Sequence, residues 1–219
     1  MSVQKTFVDV LVVALVLCVA LANHAVATQA DNELTLDDNT RQRRTVQDDD
    51  DGKIKATCNM QTNPTLSDDL KALNTIQGTV NFEQLITGGD LQITVSLSGL
   101  DPAGSIQHGF HIHQSGDITT NGCSSTGGHY NPTNKNHGAP ADDDRHVGDL
   151  GNVERSATGT VVTSFTDGVA TLIGSHSIIG RAVVLHKDAD DLGRGNQADS
   201  LTTGHAGPRL ACCVITQEP

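Results

Sequence analysis

From Lys53 to its end the chain alternates in short runs and shows almost no helical periodicity. Leu91, Ile93, Val95 and Leu97 interleave with Gln92, Thr94, Ser96 and Ser98, a period of two that puts the four aliphatic side chains on one face of a strand. Segments 76–85, 159–166, 169–173, 182–186 and 211–216 carry further strand-like runs. Asp167-Gly168, between two of them, reads as a tight hairpin turn. There is no tryptophan and one tyrosine, Tyr130, so a core must be built from Val, Ile, Leu and Ala, which suits strands with small inward side chains. One short helical turn is expected within 63–74, capped by Ser67. The pattern predicts a single all-β domain over 53–219, a barrel or a sandwich.

Residues 1–52 follow different rules. An uninterrupted apolar run at 10–22, preceded by Lys5 and followed by Ala25-Val26-Ala27, reads as a secretory leader ending at about residue 27. The run falls short of the roughly 20 residues that a spanning helix needs, which favours a leader over an uncleaved anchor. Residues 28–52 are acidic and lack periodic apolar positions, the composition of a disordered pro-segment or linker. Within them Arg41-Gln42-Arg43-Arg44 reads either as a proprotein cleavage site or as a solvated charge cluster. Cys18 would leave with the leader, so Cys58, Cys123, Cys212 and Cys213 remain, an even set that suggests disulfides in an oxidising, extracellular setting. A net charge of -12 argues against nucleic acid as a partner. Once the leader is removed, nothing in the chain calls for a membrane.

The functional signal lies in the histidines. His111 and His113 are spaced i, i+2 in a strand-like segment, so both rings point to one face, as ligands of one metal would. His129, His137 and His146 follow at loop-like intervals in the strand-poor stretch 114–153, with Asp149 three residues after His146 and His186 at the end of a strand. A loop of that length inside a compact domain points to function. Imidazole suits copper and zinc, and mixed imidazole–carboxylate sets suit zinc. Spacing assigns no histidine to a metal and does not count the metals.

The segment Gly109-Phe110-His111-Ile112-His113-Gln114-Ser115-Gly116-Asp117 resembles the first signature of the copper,zinc superoxide dismutases, and Gly204-His205-Ala206-Gly207-Pro208-Arg209-Leu210-Ala211-Cys212-Cys213-Val214-Ile215 resembles the second. His129-Tyr130-Asn131-Pro132, Arg145-His146-Val147-Gly148-Asp149 and the run from His186 to Gly193 are similar to further family segments. The resemblance implies an eight-stranded Greek-key β-barrel with long metal-binding and electrostatic loops, and an extracellular enzyme that turns superoxide into dioxygen and hydrogen peroxide. It implies copper at His111, His113, His129 and His186, and structural zinc at His129, His137, His146 and Asp149, with His129 shared. Asp190 would orient one histidine of each set. Arg209 would dock the anion beside copper, and His129 would pass a proton. The resemblance pairs Cys123 with Cys212. It also places the first and last strands side by side, which leaves Cys58 and Cys213 as either a second disulfide or two buried thiols.

Departures from the family pattern are specific. Ser115 stands where an aromatic residue commonly makes the dimer contact, which leaves a homodimer open. Thr202 and Asp188 stand where basic residues often steer the substrate, and the connection between Cys58 and Ile76 is unusually long. The rival reading is a dismutase-like extracellular metal carrier with little turnover. The full set of ligand residues and the presence of Arg209 argue against it.

Overall fold

A computed structural model describes residues 52–219. The leader expected at 1–27, nearly all of the segment 28–52, and Cys18 lie outside the described residues. The strands are β1 (Lys53–Thr62), β2 (Gln77–Leu85), β3 (Leu91–Ser98), β4 (Gln107–His113), β5 (Asp149–Glu154), β6 (Val161–Asp167), β7 (Ala182–His186), β8 (Arg209–Val214) and the two-residue β9 (Thr216–Gln217). Two short helices, α1 (Asp68–Leu73) and α2 (Ser200–Thr203), sit in connections. All ladders are antiparallel, in the order β5-β4-β7-β8-β1-β2-β3-β6, with β9 added to β1. The edge strands β5 and β6 approach each other, so the sheet nearly closes into an eight-stranded Greek-key barrel.

Alternation decides what faces inward. Leu91, Ile93, Val95 and Leu97 of β3 are buried with Val80 and Phe82 of β2, while Thr94 and Ser96 are exposed. Strands β4 and β7 break the pattern, because both of their faces are covered. Phe110 and Ile112, with Val183 and Leu185, enter the main core. His111, His113, Val184 and His186, one residue out of phase, face outward beneath the long loops. The metal-type residues therefore lie on the outer wall of the barrel.

The same period of two separates the adjacent cysteines on β8. Cys213 belongs to the main core and bonds to Cys58 of β1. Cys212 packs on the other face with Val184 and bonds to Cys123 in the loop.

Five local expectations are corrected. Segment 169–173 is not a strand and Asp167-Gly168 is not a hairpin turn. Asp167 Oδ1 instead accepts the amides of Val169 (2.9 Å) and Ala170 (2.6 Å), while the Leu172 amide donates to Gln84 Oε1 at 2.8 Å. Ala170 and Leu172 are both buried, so side-chain acceptors replace a ladder partner there. The final strand breaks at Ile215: its amide still donates to Arg181 O, but the Arg181 amide turns to Ile178 O and Ile215 O accepts the Gly180 amide instead. Helix α1 forms after Ser67, but no side-chain capping bond is made. Asp149 to Glu154, in the stretch expected to be mostly loop, forms β5.

Candidate metal centre

Three strands and two loops build the site. Strand β4 carries His111 and His113, and a shift in its register with β5 between Gly109 and His111 re-aims the first ring. A second register shift, between β7 and β8, falls at His186 and Arg209. His129 is seated by an isolated bridge to His113 and by the Tyr130 amide donating to Ile112 O at 2.8 Å. The neighbouring turn needs Gly148, since a Cβ there would collide with Ile112 O. His137 and His146 follow on the loop that runs into β5, and Asp149 is the first residue of that strand.

These side chains form two buried clusters that share one member. Ligand atoms of His111, His113, His129 and His186 lie within 4.8 Å of one another, as do those of His129, His137, His146 and Asp149. A third such group, His111, His137 and Asp190, lies between them. The rings of His111 and His129 are 4.0 Å apart at their centroids.

Most of these imidazoles have one nitrogen committed to the protein. His113 Nδ1 bonds to Gly127 O at 2.8 Å and His186 Nδ1 to Gly207 O at 3.0 Å, leaving their Nε2 atoms 3.3 Å apart. His111 Nε2 bonds to Asp190 Oδ2 at 2.9 Å, and its buried Nδ1 has no hydrogen-bond partner among the described residues. His137 Nε2 bonds to Asp190 Oδ1 at 2.8 Å. His129 Nδ1 lies 2.8 Å, His137 Nδ1 2.9 Å and His146 Nδ1 3.1 Å from the single oxygen Asp149 Oδ1. His129 Nε2 faces the first cluster, buried and without a hydrogen-bond partner among the described residues.

Buried polar atoms without partners are costly and therefore rare. Among the described residues, His111 Nδ1 and His129 Nε2 are such atoms within the clusters, beside His108 Nε2 and Arg145 Nη2 outside them. The donor chemistry fits two ions: a nitrogen-only set suits copper, and three imidazoles with a carboxylate suit zinc.

Electrostatics sharpen the difference between the clusters. Burial, reinforced by neighbouring imidazoles, holds His111 and His113 well below the ordinary histidine range and lowers His129. Burial pushes His186 down to about 3. Each of these shifts favours the neutral imidazole, the form whose lone pair can ligate. At His137 burial is outweighed by Asp149 and Asp190, which raise it to about 9. At Asp149 the upward pull of burial is outweighed by hydrogen bonds from three histidines, so its carboxyl lies well below the carboxylate range. The second cluster is thus built around a fixed negative charge, as a closed divalent site requires.

Asp190 spans the two clusters and is held by Asn152. Asn152 Nδ2 donates to Asp190 O at 2.9 Å, and the Asp190 amide donates to Asn152 Oδ1 at 2.7 Å. Gly204 takes a left-handed φ of 63° beside it, where a Cβ would strike the Asp190 carboxylate. Arg209 is half-buried. Its Nη1 donates to Cys123 O (2.8 Å) and Thr126 Oγ1 (3.0 Å), and its Nη2 to Gly127 O (2.7 Å). Gly127 O therefore serves both Arg209 and His113. Lys187 is paired with Asp188 at 3.0 Å, which offsets its charge.

Some supporting residues had no sequence signal of their own. His108, three residues before His111 on β4, is buried with Nδ1 against His186 O at 2.8 Å. Arg145 is buried against Asp167 at 2.8 Å and donates to Pro140 O and His146 O, which stiffens the His146 loop. A spacing of 22 residues between Arg145 and Asp167 gives no hint of that pair.

Comparison with known proteins points the same way. Residues 76–215 match the family model for copper/zinc superoxide dismutase. The chain is 49% identical over 146 residues to a Superoxide dismutase [Cu-Zn] of Yarrowia lipolytica, covering 67% of this chain and 93% of the relative. It is 55% identical over 138 residues to an Extracellular superoxide dismutase [Cu-Zn] of Caenorhabditis elegans, covering 63% of this chain and 60% of that relative.

Proposed function

The chain belongs to the copper/zinc superoxide dismutase family and acts as a superoxide dismutase, and from that premise we propose which residues carry the reaction and where it takes place. His111 Nδ1, His113 Nε2, His186 Nε2 and His129 Nε2 would hold copper. His129 Nδ1, His137 Nδ1, His146 Nδ1 and Asp149 Oδ1 would hold zinc. The observation that carries this assignment is the commitment of the opposite nitrogens of His111, His113, His137 and His186 to carbonyls or to Asp190, which turns the remaining lone pairs inward.

Bound copper supplies one-electron redox cycling, and bound zinc supplies fixed positive charge. The remaining work falls to this chain. Two superoxide ions and two protons give one dioxygen and one hydrogen peroxide. Arg209, anchored on the Cys123–Gly127 carbonyls, presents a guanidinium to the incoming anion. His129 would hold and release a proton at Nε2 when that atom is not engaged by copper, while its Nδ1 stays directed at the second cluster. Asp190 keeps the rings of His111 and His137 in orientation, since outer carboxylates of this kind fix ring position and raise ligand basicity.

We place this activity outside the cell. The extracellular relative, two disulfides in the described domain and the leader-like run at 10–22 support secretion. The mature chain would begin near Thr28, or at Thr45 if the basic cluster is cut, which N-terminal sequencing of secreted protein distinguishes.

Metal analysis joined to a superoxide-consumption assay tests the assignment. One copper and one zinc per chain are expected with full activity. Arg209→Ala should lose about tenfold or more in rate at unchanged metal content, within what local charge supplies. A metal-loaded protein without turnover would return the reading to a metal carrier.

A further inference from the structure

The β1–β2 connection, longer than the family pattern, contributes nothing to the two histidine clusters, yet its first residue reaches the site. We propose that this connection is a brace for the substrate-docking group, with Asn63 as the positioning residue of Arg209. The inference rests on the docking role assigned to Arg209 above.

The side chain of Asn63 is buried, and both ends of its amide are used. Nδ2 donates to Arg209 O at 2.9 Å, and Oδ1 accepts the Cys123 amide at 3.2 Å. Arg209 Nη1 in turn donates to Cys123 O at 2.8 Å. A closed cycle results: Asn63 ties the backbone of Arg209 to the backbone of Cys123, and the guanidinium grips Cys123 from its other side. The aim of a long side chain is set by the distance between its own backbone and the acceptors at its tip. Asn63 fixes both ends of that distance.

The rest of the connection holds Asn63 in place. Thr65 donates to Asn63 Oδ1 from its amide (3.2 Å) and from its hydroxyl (2.9 Å), which sets the amide's orientation. The Asn63 amide donates to Leu210 O at 2.8 Å, and Leu66 packs into the main core. At the far end Asn74 Nδ2 donates to Leu70 O, and Asn74 Oδ1 accepts the Asp101 amide. Gly122, at a φ of 53°, lets the loop close on Asn63, since a Cβ there would strike Oδ1. The disulfide from Cys123 to Cys212 joins the same two segments covalently. It leaves rotation about the bridge, which the Asn63 bonds remove.

A residue that only satisfied buried backbone groups would affect stability. A positioning residue also affects how an anion binds. The test uses the full chain loaded with copper and zinc, with azide as the anion probe. Asn63→Ala should weaken azide binding, read from the copper absorption, by about three- to tenfold, a fraction of what focused charge supplies. The copper spectrum without azide and the metal content should stay unchanged. In the diamagnetic reduced enzyme, the Arg209 guanidinium nitrogen signals should collapse toward exchange-averaged positions. Asn63→Asp keeps an acceptor for the Cys123 amide but removes the donor to Arg209 O. It should act in the same direction, and it serves if the alanine variant does not fold. A lowered melting temperature with unchanged azide affinity and unchanged Arg209 signals overturns the brace. Arg209→Ala is measured alongside. If azide binding ignores Arg209→Ala, the docking role itself fails. If it responds to Arg209→Ala and not to the Asn63 variants, only the brace fails.

Discussion

Removing the bridge between Cys58 and Cys213 should cost the domain much of its stability and none of its chemistry. By sequence the two residues are 155 apart, which on the loop-entropy model alone would be worth about 5 kcal/mol. The Cys123–Cys212 bridge shortens that loop, because the chain from Cys58 need only run to Cys123 and then step from Cys212 to its neighbour. The effective loop is about 66 residues, and the same model gives about 4 kcal/mol. Both cysteines are buried in the main core, so the double variant Cys58→Ala/Cys213→Ala also leaves a small cavity, and its loss falls in the same direction. For a domain of this size about 4 kcal/mol corresponds to a fall in melting temperature of about 8–16 °C. Calorimetry on wild type and variant, both saturated with copper and zinc, reads that shift, and the superoxide assay should give equal activity at 25 °C. A fall of less than about 2 °C would refute the loop argument. Recovery of both thiols in alkylatable form from unfolded, unreduced wild type would refute the bridge itself.

Three further outcomes are expected. His129→Ala should disturb both metals and abolish most dismutation, whereas His137→Ala should release zinc and leave a copper signal; a normal copper spectrum with full activity in His129→Ala would end the shared-ligand assignment. Asp190→Ala removes one hydrogen bond from a histidine of each set and should weaken both metals by about 10- to 100-fold in competition titrations; loss of one metal alone would show that the carboxylate does not couple the sites. Thr202 is exposed on α2, so Thr202→Lys should raise the low-salt rate and make it fall more steeply as salt is added, because exposed charge is screened over about 8 Å at physiological ionic strength; equal salt slopes would show that this position does not steer superoxide.

What the amino-acid sequence determined on its own is what depends on neighbours along the chain. The alternation at 91–98 marks a half-buried strand wherever that strand pairs. The i, i+2 spacing of His111 and His113 puts both rings on one face, and the crowding of His129, His137, His146 and Asp149 into a strand-poor stretch marks a functional loop. Only the tertiary structure decided matters that depend on distant segments. Which nitrogen of His113 or His186 is free follows from the carbonyls of Gly127 and Gly207, and that of His111 follows from Asp190, 79 residues away. Segment 169–173 looks like a strand because Ala170 and Leu172 are buried, yet Gln84 and Asp167 take its amides and no ladder forms. Asn63 reads as an ordinary turn residue beside Pro64, and gains its role only because β1 and β8 pair at Gln61 and Thr62, which brings it against Arg209. Periodicity and composition carry local geometry. Hydrogen-bond direction and ring orientation are set by long-range register, and a linear pattern does not contain that register.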